Sequence, residues 1–399
     1  MYIDMRGHIH KRMRTCKNGR KSILWYVVID APRGADGKRR QRWHGGFDTR
    51  KMAEAVRARL VTQLMSGTYI LPSPIPLSEW LDNDWLPAHR SRIKRSTARA
   101  YESAIRLHVA PHIGGVELGK LTPRLLNELY QTLLVSGRCD GTGGLCPSTV
   151  RGIHLIIHKA LQDAHEVGLI SNNPASKAKP PRPRAQRIEL PYWTSPEIRQ
   201  FLALCRDHRL EAAYRLLVVT GARRGEVAGL EWRDIDLNSG RITIRQSLLA
   251  GEDGAYISSP KTYRGRSVDI DSDTVLVLRS HKRKQSDEKA ATRGGTDSGF
   301  VFTKPDGSPL NPQTLSTTFK WIVGQSDLPD VRLHSLRHSS ASLSILAGVP
   351  IPIVAQRLGH STPQTTLEIY SHVMSSAGQD AATRVASAVL NGDNPSLRH

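Results

Sequence analysis

Prolines divide this chain into three pieces that no single helix or strand can bridge. Pro72, Pro74 and Pro76 form one break, and Pro180, Pro181 and Pro183 form the other. Proline has no amide N–H and its ring clashes with the preceding helical turn, so regular structure stops at both places. The second break reads KAKPPRPRAQR over residues 177–187, a basic and semi-rigid linker. At 399 residues the chain has room for two or three domains.

Each piece has its own periodicity. Residues 7–47 read as three short strands, GHIHKRMR, ILWYVVID and RRQRWHGGF, separated by the turn signals KNGR and RGADGK. Asp48 or Thr49 can then cap a helix over roughly residues 50–65. Residues 77–176 read as all-helical. Leu77, Trp80, Leu81 and Trp85 fall at amphipathic spacing, and a second helix starts near Ser96. Thr122-Pro123 opens a third as N-cap and first-turn proline. A fourth covers residues 148–167, with Val150, Ile153, Ile157 and Leu161 on one face. Residues 188–391 mix helices with three strands, RITIRQ, AYISS and GRSVDI, expected to form one small antiparallel sheet. The fold class is therefore multidomain α+β: a three-stranded sheet plus helix (1–70), an all-α domain (77–176), the linker (177–187) and a mixed, mainly-α domain (188–391).

Charge points to the partner. The chain carries 57 Lys+Arg against 36 Asp+Glu, and the first 70 residues alone hold 16 Lys+Arg against five Asp+Glu. A polyanion fits such a surface, with counterion release from double-stranded DNA as the driving force. The candidate contacts are Arg12, Arg14, Arg39, Arg40 and Arg42 on the N-terminal strands, with Lys179, Arg182 and Arg184 in the linker. A membrane surface fits less well, because no basic amphipathic helix with an aromatic face is evident. No run of about 18 apolar residues occurs. The start, MYIDMRGHIHKRMR, lacks an apolar signal core. Four cysteines are too few for a disulfide framework in a chain of this length, so a reducing cytoplasm is the expected setting.

Four local patterns carry chemistry. In LLVVTGARRGEVAGLEWRDID, Gly221 and Gly225 permit sharp turns, Arg223 can project from a helix start toward an anion, and Glu226 can orient its guanidinium. In HSLRH, His334 and Arg337 share one helix face. A guanidinium grips two phosphate oxygens, and an imidazole moves protons near neutrality. In LGHSTPQTTLEIYSHV, His360 ends one helix and Tyr370 lies on the next. Lys261, in SSPKTYRGRSVDI, falls in a turn between two expected strands. Singly these are a loop arginine, an ordinary helix tyrosine and a solvated hairpin lysine. Their joint order and spacing are not ordinary. No metal is expected: no Glu follows His334 as a zinc hydrolase helix needs, and Cys139, Cys146, His154 and His158 fit no standard finger. HKRKQSDEKAATR at 281–293 reads as a solvated helix end.

The patterns together resemble the tyrosine recombinase family, the phage-type integrases. The box T-G-x-R-x-G-E matches Thr220 to Glu226, H-x-L-R-H matches His334 to His338, L-G-H matches Leu358 to His360, and the tyrosine follows at Tyr370. Lys261 matches the family's hairpin lysine. The resemblance implies an arm-type DNA-binding domain, a helical core-binding domain and a catalytic domain. It also implies that Tyr370 attacks a scissile phosphate to give a covalent 3′-phosphotyrosine. Arg223 and Arg337 would stabilise the transition state, Lys261 would protonate the leaving oxygen, His334 would move the tyrosine's proton, and His360 would bind a non-bridging oxygen. One ester replaces another, so no cofactor is expected. Integration or excision of a mobile element at DNA attachment sites would follow, by a homotetramer in the synaptic complex, with an accessory DNA-bending or directionality factor as a further partner. Residues 379–391, with Ala381, Val385, Ala388 and Val389 on one face, would dock into a groove, either on their own catalytic domain or, as the resemblance implies, on a neighbouring protomer. A type IB topoisomerase uses a similar site, but L-G-H before the tyrosine and the separate basic module favour a recombinase. A non-catalytic DNA-binding regulator has no need of intact Tyr370, Arg223 and Arg337.

Overall fold

The computed structural model describes residues 7–15, 21–31, 40–66, 73–182, 191–251, 254–258, 265–291 and 297–374, together with Ala386 and Val389. Lys261, Arg39, Arg184, the side chain of Arg40 and most of the 379–391 segment lie outside these residues. The chain forms two compact units, Met1–Gln186 and Arg187–His399.

The first unit begins with an antiparallel sheet in the order β1 (His8–Thr15), β2 (Lys21–Ala31), β3 (Arg40–Phe47). Helix α1 (Arg50–Met65) follows, capped by the Thr49 hydroxyl, which accepts from the Met52 amide at 3.3 Å. Val27 and Ile29 on β2 bury against Ala53 and Leu60 of α1, joined by Ile9, Trp25, Phe47, Val56 and Leu64. The opposite face carries His10, Arg12, Tyr26 and Trp43 beside the buried Val28.

The helical part of this unit runs α2 (Leu77–Glu79), α3 (Leu86–Arg90), α4 (Arg95–Ala104), α5 (Ala110–Ile113), α6 (Pro123–Ser136) and α7 (Pro147–Glu166). Two wide π-helical stretches, Trp80–Trp85 and Ile105–Val109, join α2 to α3 and α4 to α5. Each ends two residues before a proline, Pro87 or Pro111. A proline cannot donate to the turn behind it and crowds that turn's carbonyl, so the helix widens there instead of breaking. Thr122 caps α6 as its sequence suggests, accepting from Leu125 N at 3.2 Å. Trp80, Leu81 and Trp85 pack with Leu126, Leu129 and Leu133 of α6 and with Val150, Ile153, Ile157 and Leu161 of α7 in one core.

The second unit contains α8 (Ser195–Leu204), α9 (Glu211–Thr220) and α10 (Arg224–Ala228), then β4 (Ile235–Asp236), β5 (Arg241–Ile244), β6 (Ser247–Gly251), β7 (Gly254–Ser258) and β8 (Arg266–Asp269). These strands make two sheets, not one: β4-β5-β8 and a separate β6-β7 pair. The expected strands around Lys261, β7 and β8, thus belong to different sheets. Strand β6 has no polar alternation of its own and is defined by its ladder with β7, Ser247 opposite Ser258 through Gly251 opposite Gly254. Helices α11 (Ser272–Ala291), α12 (Pro312–Gly324), α13 (Ser335–Leu346), α14 (Ile351–Leu358) and α15 (Pro363–Met374) complete the unit. The basic run on α11 is exposed at Lys282, Arg283, Lys284 and Asp287, as a solvated helix requires, but two of its residues turn inward. His281 and Gln285 are buried: His281 Nε2 lies 2.8 Å from the Val301 carbonyl, and the Gln285 amide donates to the Phe300 and Val301 carbonyls.

One buried ion pair ties three of these elements together. Arg266 of β8 donates from both terminal nitrogens to Glu226 of α10, at 3.1 and 2.7 Å, and from Nε to the Arg357 carbonyl of α14 at 2.9 Å. Burial pushes the Glu226 carboxyl up, but the Arg266 guanidinium, the Arg223 amide and the Arg223 charge outweigh it and bring its pKa down from 4.5 to about 2. A depressed carboxylate stabilises the fold fully above its unfolded pKa and loses that contribution as pH falls toward its folded one. The shift is worth about 3 kcal/mol. Between pH 6 and pH 3, the urea midpoint of the wild-type second unit should therefore fall more steeply than that of Glu226→Gln. Parallel midpoints would show that this pair carries no linked protonation.

Candidate active site

Four of the six residues singled out in the sequence converge around one guanidinium. Arg337, on the first turn of α13, is 4 % exposed. Its Nη1 donates to the Gly221 carbonyl and to the Leu358 carbonyl, both at 2.7 Å. These acceptors end α9 and α14, and in both helices the next step is a left-handed glycine: Gly221 itself (φ 62°) and Gly359 (φ 70°). A side chain at Gly221 would meet Leu358 Cδ2 at 2.5 Å, and one at Gly359 would meet the Arg266 guanidinium at 2.8 Å. Both turns are thus closed by glycine for reasons of conformation and of space. Arg337 Nη2 is buried and has no hydrogen-bond partner among the described residues. Burial, with the neighbouring Arg223 charge, pulls the Arg337 pKa down to about 10, so it stays cationic at neutral pH.

Arg223 stands just ahead of α10. Its backbone amide donates to Glu226 Oε2 at 2.8 Å and its Nη1 to Glu226 Oε1 at 2.9 Å. Unlike Arg337 its side chain is 42 % exposed. Glu226 therefore orients one guanidinium toward solvent and anchors a second, that of Arg266. Gly225 differs from expectation: it makes no sharp turn. It lies within α10, where a Cβ would come within 2.5 Å of Ser247 Oγ and 2.6 Å of the Leu248 carbonyl, so it allows strand β6 to approach. Beside these residues is a cavity of about 770 Å³ lined by Arg223, Arg224, Arg332, His334 and Arg337 and, across it, by Gln313, Ser316 and Lys320 of α12.

Three histidines ring the arginines. His334 sits at the rim, its ring partly in solvent and edge-to-face with His338, the centroids 5.1 Å apart. Desolvation, then the charges of Arg337, Arg223 and Arg224, pull its pKa down. His360 Nδ1 lies 2.7 Å from the hydroxyl of the buried Thr366. Desolvation, then Arg337, Arg223 and Arg266, bring its pKa to about 4. Tyr370, on α15, is 1 % exposed, and burial pushes its phenol up to about 12. Its hydroxyl lies 2.9 Å from His338 Nδ1. The sequence patterns assign the tyrosine's proton to His334; among the described residues the hydroxyl's partner is His338. Arg266 and His338 are the site residues the patterns passed over. His338 ends the H-x-L-R-H box, and Arg266 is a lone inward-facing charge five residues after Lys261.

The basic residues of the first unit fall into two groups. Arg12 lies over the Trp43 ring, 4.8 Å from its centroid, with Tyr26 and His10 beside it, on the sheet face away from α1. Arg14 is exposed on the same strand. Arg42 pairs in register with Ile29, so it falls on the other face, at the edge of the α1 core. Lys179 and Arg182 are exposed, and the Lys179 backbone amide donates to Asn127 Oδ1 at 2.7 Å. In the cysteine–histidine group the two histidines have other partners. His154 Nδ1 contacts the Tyr130 hydroxyl at 2.8 Å, His158 Nε2 contacts Ser176 Oγ at 3.3 Å, and no cluster of three metal-ligating side chains occurs among the described residues.

Comparison with known proteins agrees with this geometry. The phage integrase family matches residues 192–376, its N-terminal SAM-like domain residues 77–134, and the arm DNA-binding domain residues 14–64. A tyrosine recombinase XerC-like protein of Caldanaerobacter subterraneus is 25 % identical over 384 residues, covering 91 % of this chain and 95 % of that protein. The ICEBs1 integrase of Bacillus subtilis is 25 % identical over 286 residues, covering 70 % of this chain and 75 % of that one. Among solved structures, the Tn1549 transposon integrase in complex with transposon right end DNA aligns with a TM-score of 0.63 at 20 % identity, over 78 % of this chain and 99 % of that one. A lambda integrase tetramer bound to a Holliday junction aligns with a TM-score of 0.56 at 19 % identity, over 92 % of this chain and 96 % of that one. With the arm, SAM-like and phage integrase matches following one another along the sequence, the chain belongs to the phage integrase family of tyrosine recombinases.

Proposed function

We propose that this protein recombines double-stranded DNA at specific attachment sites by a phosphotyrosine mechanism. The observation that carries the reading is Arg337. It joins three sequence boxes through two carbonyls and keeps a buried donor, Nη2, for an anion beside Arg223. Two guanidiniums so placed match a phosphodiester and the extra negative charge of its five-coordinate transition state. Tyr370 Oη forms the new bond to phosphorus as the bond to the 5′ oxygen breaks. Lys261 delivers a proton to that oxygen. His360, neutral at pH 7, donates to a non-bridging oxygen. His334, at the rim, adds a donor there. The 5′ hydroxyl of a second strand reverses the chemistry, so bond energy is conserved without ATP. The polarity, the attack by Tyr370 and the role of Lys261 follow the family pattern.

The Arg12–Trp43–Tyr26 face and the Lys179–Arg182 segment supply further contacts to DNA. Stacked guanidiniums and exposed lysines suit phosphates and base edges. Arg39, Arg40 and Arg184 extend the same charge. A homotetramer on two sites follows from the need for four strand exchanges, and the tetrameric lambda integrase supports it. An accessory DNA-bending or directionality factor would bind the same DNA. The domain limits 1–70, 77–176 and 188–391 serve these tasks in turn. In the described residues no helix is long and apolar enough to cross a membrane.

The substrate for testing is a duplex spanning the joined ends of the mobile element that encodes the chain. Tyr370→Phe should bind it nearly as wild type but give no covalent protein–DNA adduct on denaturing gels. A normal adduct yield from that variant would defeat the assignment. Arg223→Ala should fold normally and lose on the order of 10²–10³ in cleavage rate, the effect of removing one transition-state donor. Arg337→Ala should lose both cleavage and stability, since two helix ends lose their shared donor; a stable, active Arg337→Ala would contradict the clamp. Lys261→Ala should recover cleavage on a substrate with a 5′-bridging sulfur, a leaving group that needs no proton, and its failure to do so would remove Lys261 as the acid.

A further inference from the structure

We infer that His338 receives the Tyr370 proton as the phenol oxygen bonds to phosphorus. This rests on the phosphotyrosine reading above and names the residue that reading lacks: the base. The geometry carries it. The Tyr370 hydroxyl is 2.9 Å from His338 Nδ1, and the two side chains come from helices α15 and α13, 32 residues apart. The phenol is buried, with its pKa pushed up to about 12, so at neutral pH it cannot attack without an acceptor for its proton. With the His338 proton on Nε2, Nδ1 holds its lone pair toward the O–H. Proton transfer then leaves an aryl phosphodiester, singly negative as the DNA phosphodiester was, and an imidazolium, while Lys261 loses a proton to the departing 5′ oxygen, so protons and charge balance.

The surroundings fit a base that works only when DNA is present. The charged and titratable groups around His338 are His334 and Arg337 on its own helix, Tyr370 on α15 and His360 after α14. Desolvation, then His334 and Arg337, hold His338 neutral, with its pKa down to about 4. A scissile phosphate brings negative charge beside Arg337 and offsets that residue's share of the lowering, so the ring becomes a better proton acceptor although burial still opposes its charging. His334 is placed differently: it faces solvent at the rim and lies against the edge of His338.

The alternative is a latch, in which the same hydrogen bond only parks the tyrosine. Two variants separate the ideas. His338→Asn can keep a hydrogen bond to the phenol but cannot take up a proton; His338→Ala removes both. In the full-length protein, single-turnover cleavage of the joined-end duplex should fall about 100-fold or more in both variants, with DNA affinity unchanged. Replacing Tyr370 by a fluorinated tyrosine, whose phenol is more acidic, should shrink that deficit to below about tenfold, since less help is needed to remove the proton. Should His338→Ala fail to fold, His338→Asn carries the test alone. The inference is overturned if His338→Asn cleaves as wild type, if either variant cleaves faster, or if fluorination leaves the deficit unchanged. These outcomes leave the phosphotyrosine reading standing as long as the wild type forms its adduct through Tyr370. A wild type that forms no such adduct removes both.

Discussion

The hydrogen bonds from one Arg337 nitrogen to the Gly221 and Leu358 carbonyls hold the second unit's site together. Each helix end leaves carbonyls with no partner inside the helix, and burying them bare costs free energy. Arg337 satisfies two such ends at once with a charge-assisted donor. The two helices are thereby fixed at their C-termini, where the left-handed glycines turn the chain toward Arg223 on one side and His360 on the other. Arg337 spends one nitrogen on the fold, while the other, equally buried, has no hydrogen-bond partner among the described residues.

A second layer of arginine supports the first. Arg266 neutralises Glu226, takes up the Arg357 carbonyl and fills the space under Gly359. Arg357 in turn donates to the Val219 carbonyl near the end of α9 and to the Asp269 carbonyl of β8. Among the described residues this arginine cluster thus holds one buried carboxylate, Glu226, shared by Arg223 and Arg266. Sharing keeps the cluster from repelling itself apart while leaving Arg223 half exposed.

Much of this was legible in the sequence, because local rules control it. The N-caps Thr49 and Thr122, the N-terminal three strands and the apolar face of α7 all follow from spacing and turn chemistry. What escaped depended on partners far along the chain. Strand β6 has no pattern until β7 pairs with it, and one expected sheet became two because β8 pairs with β5 instead. The charges of the run that starts at His281 are solvated as the sequence suggests, but the burial of His281 and Gln285 within it could not be read, because the carbonyls they meet come from residues 300 and 301. In the site, the H-x-L-R-H spacing shows that His334 and Arg337 share a face. It cannot show that a tyrosine 32 residues on will settle against His338 and not His334.

The N-terminal module has a modest interior. Val27, Ile29, Ala53 and Leu60 are its buried apolar core, supported by five partly covered side chains. Domains of this size bury too small a fraction of their surface to be far from unfolding. Whatever the Arg12–Trp43 face grips therefore adds its binding free energy directly to the folding free energy of the module. Occupancy and folding become one equilibrium, and the survival of this segment against a protease is a measure of how tightly its ligand is held.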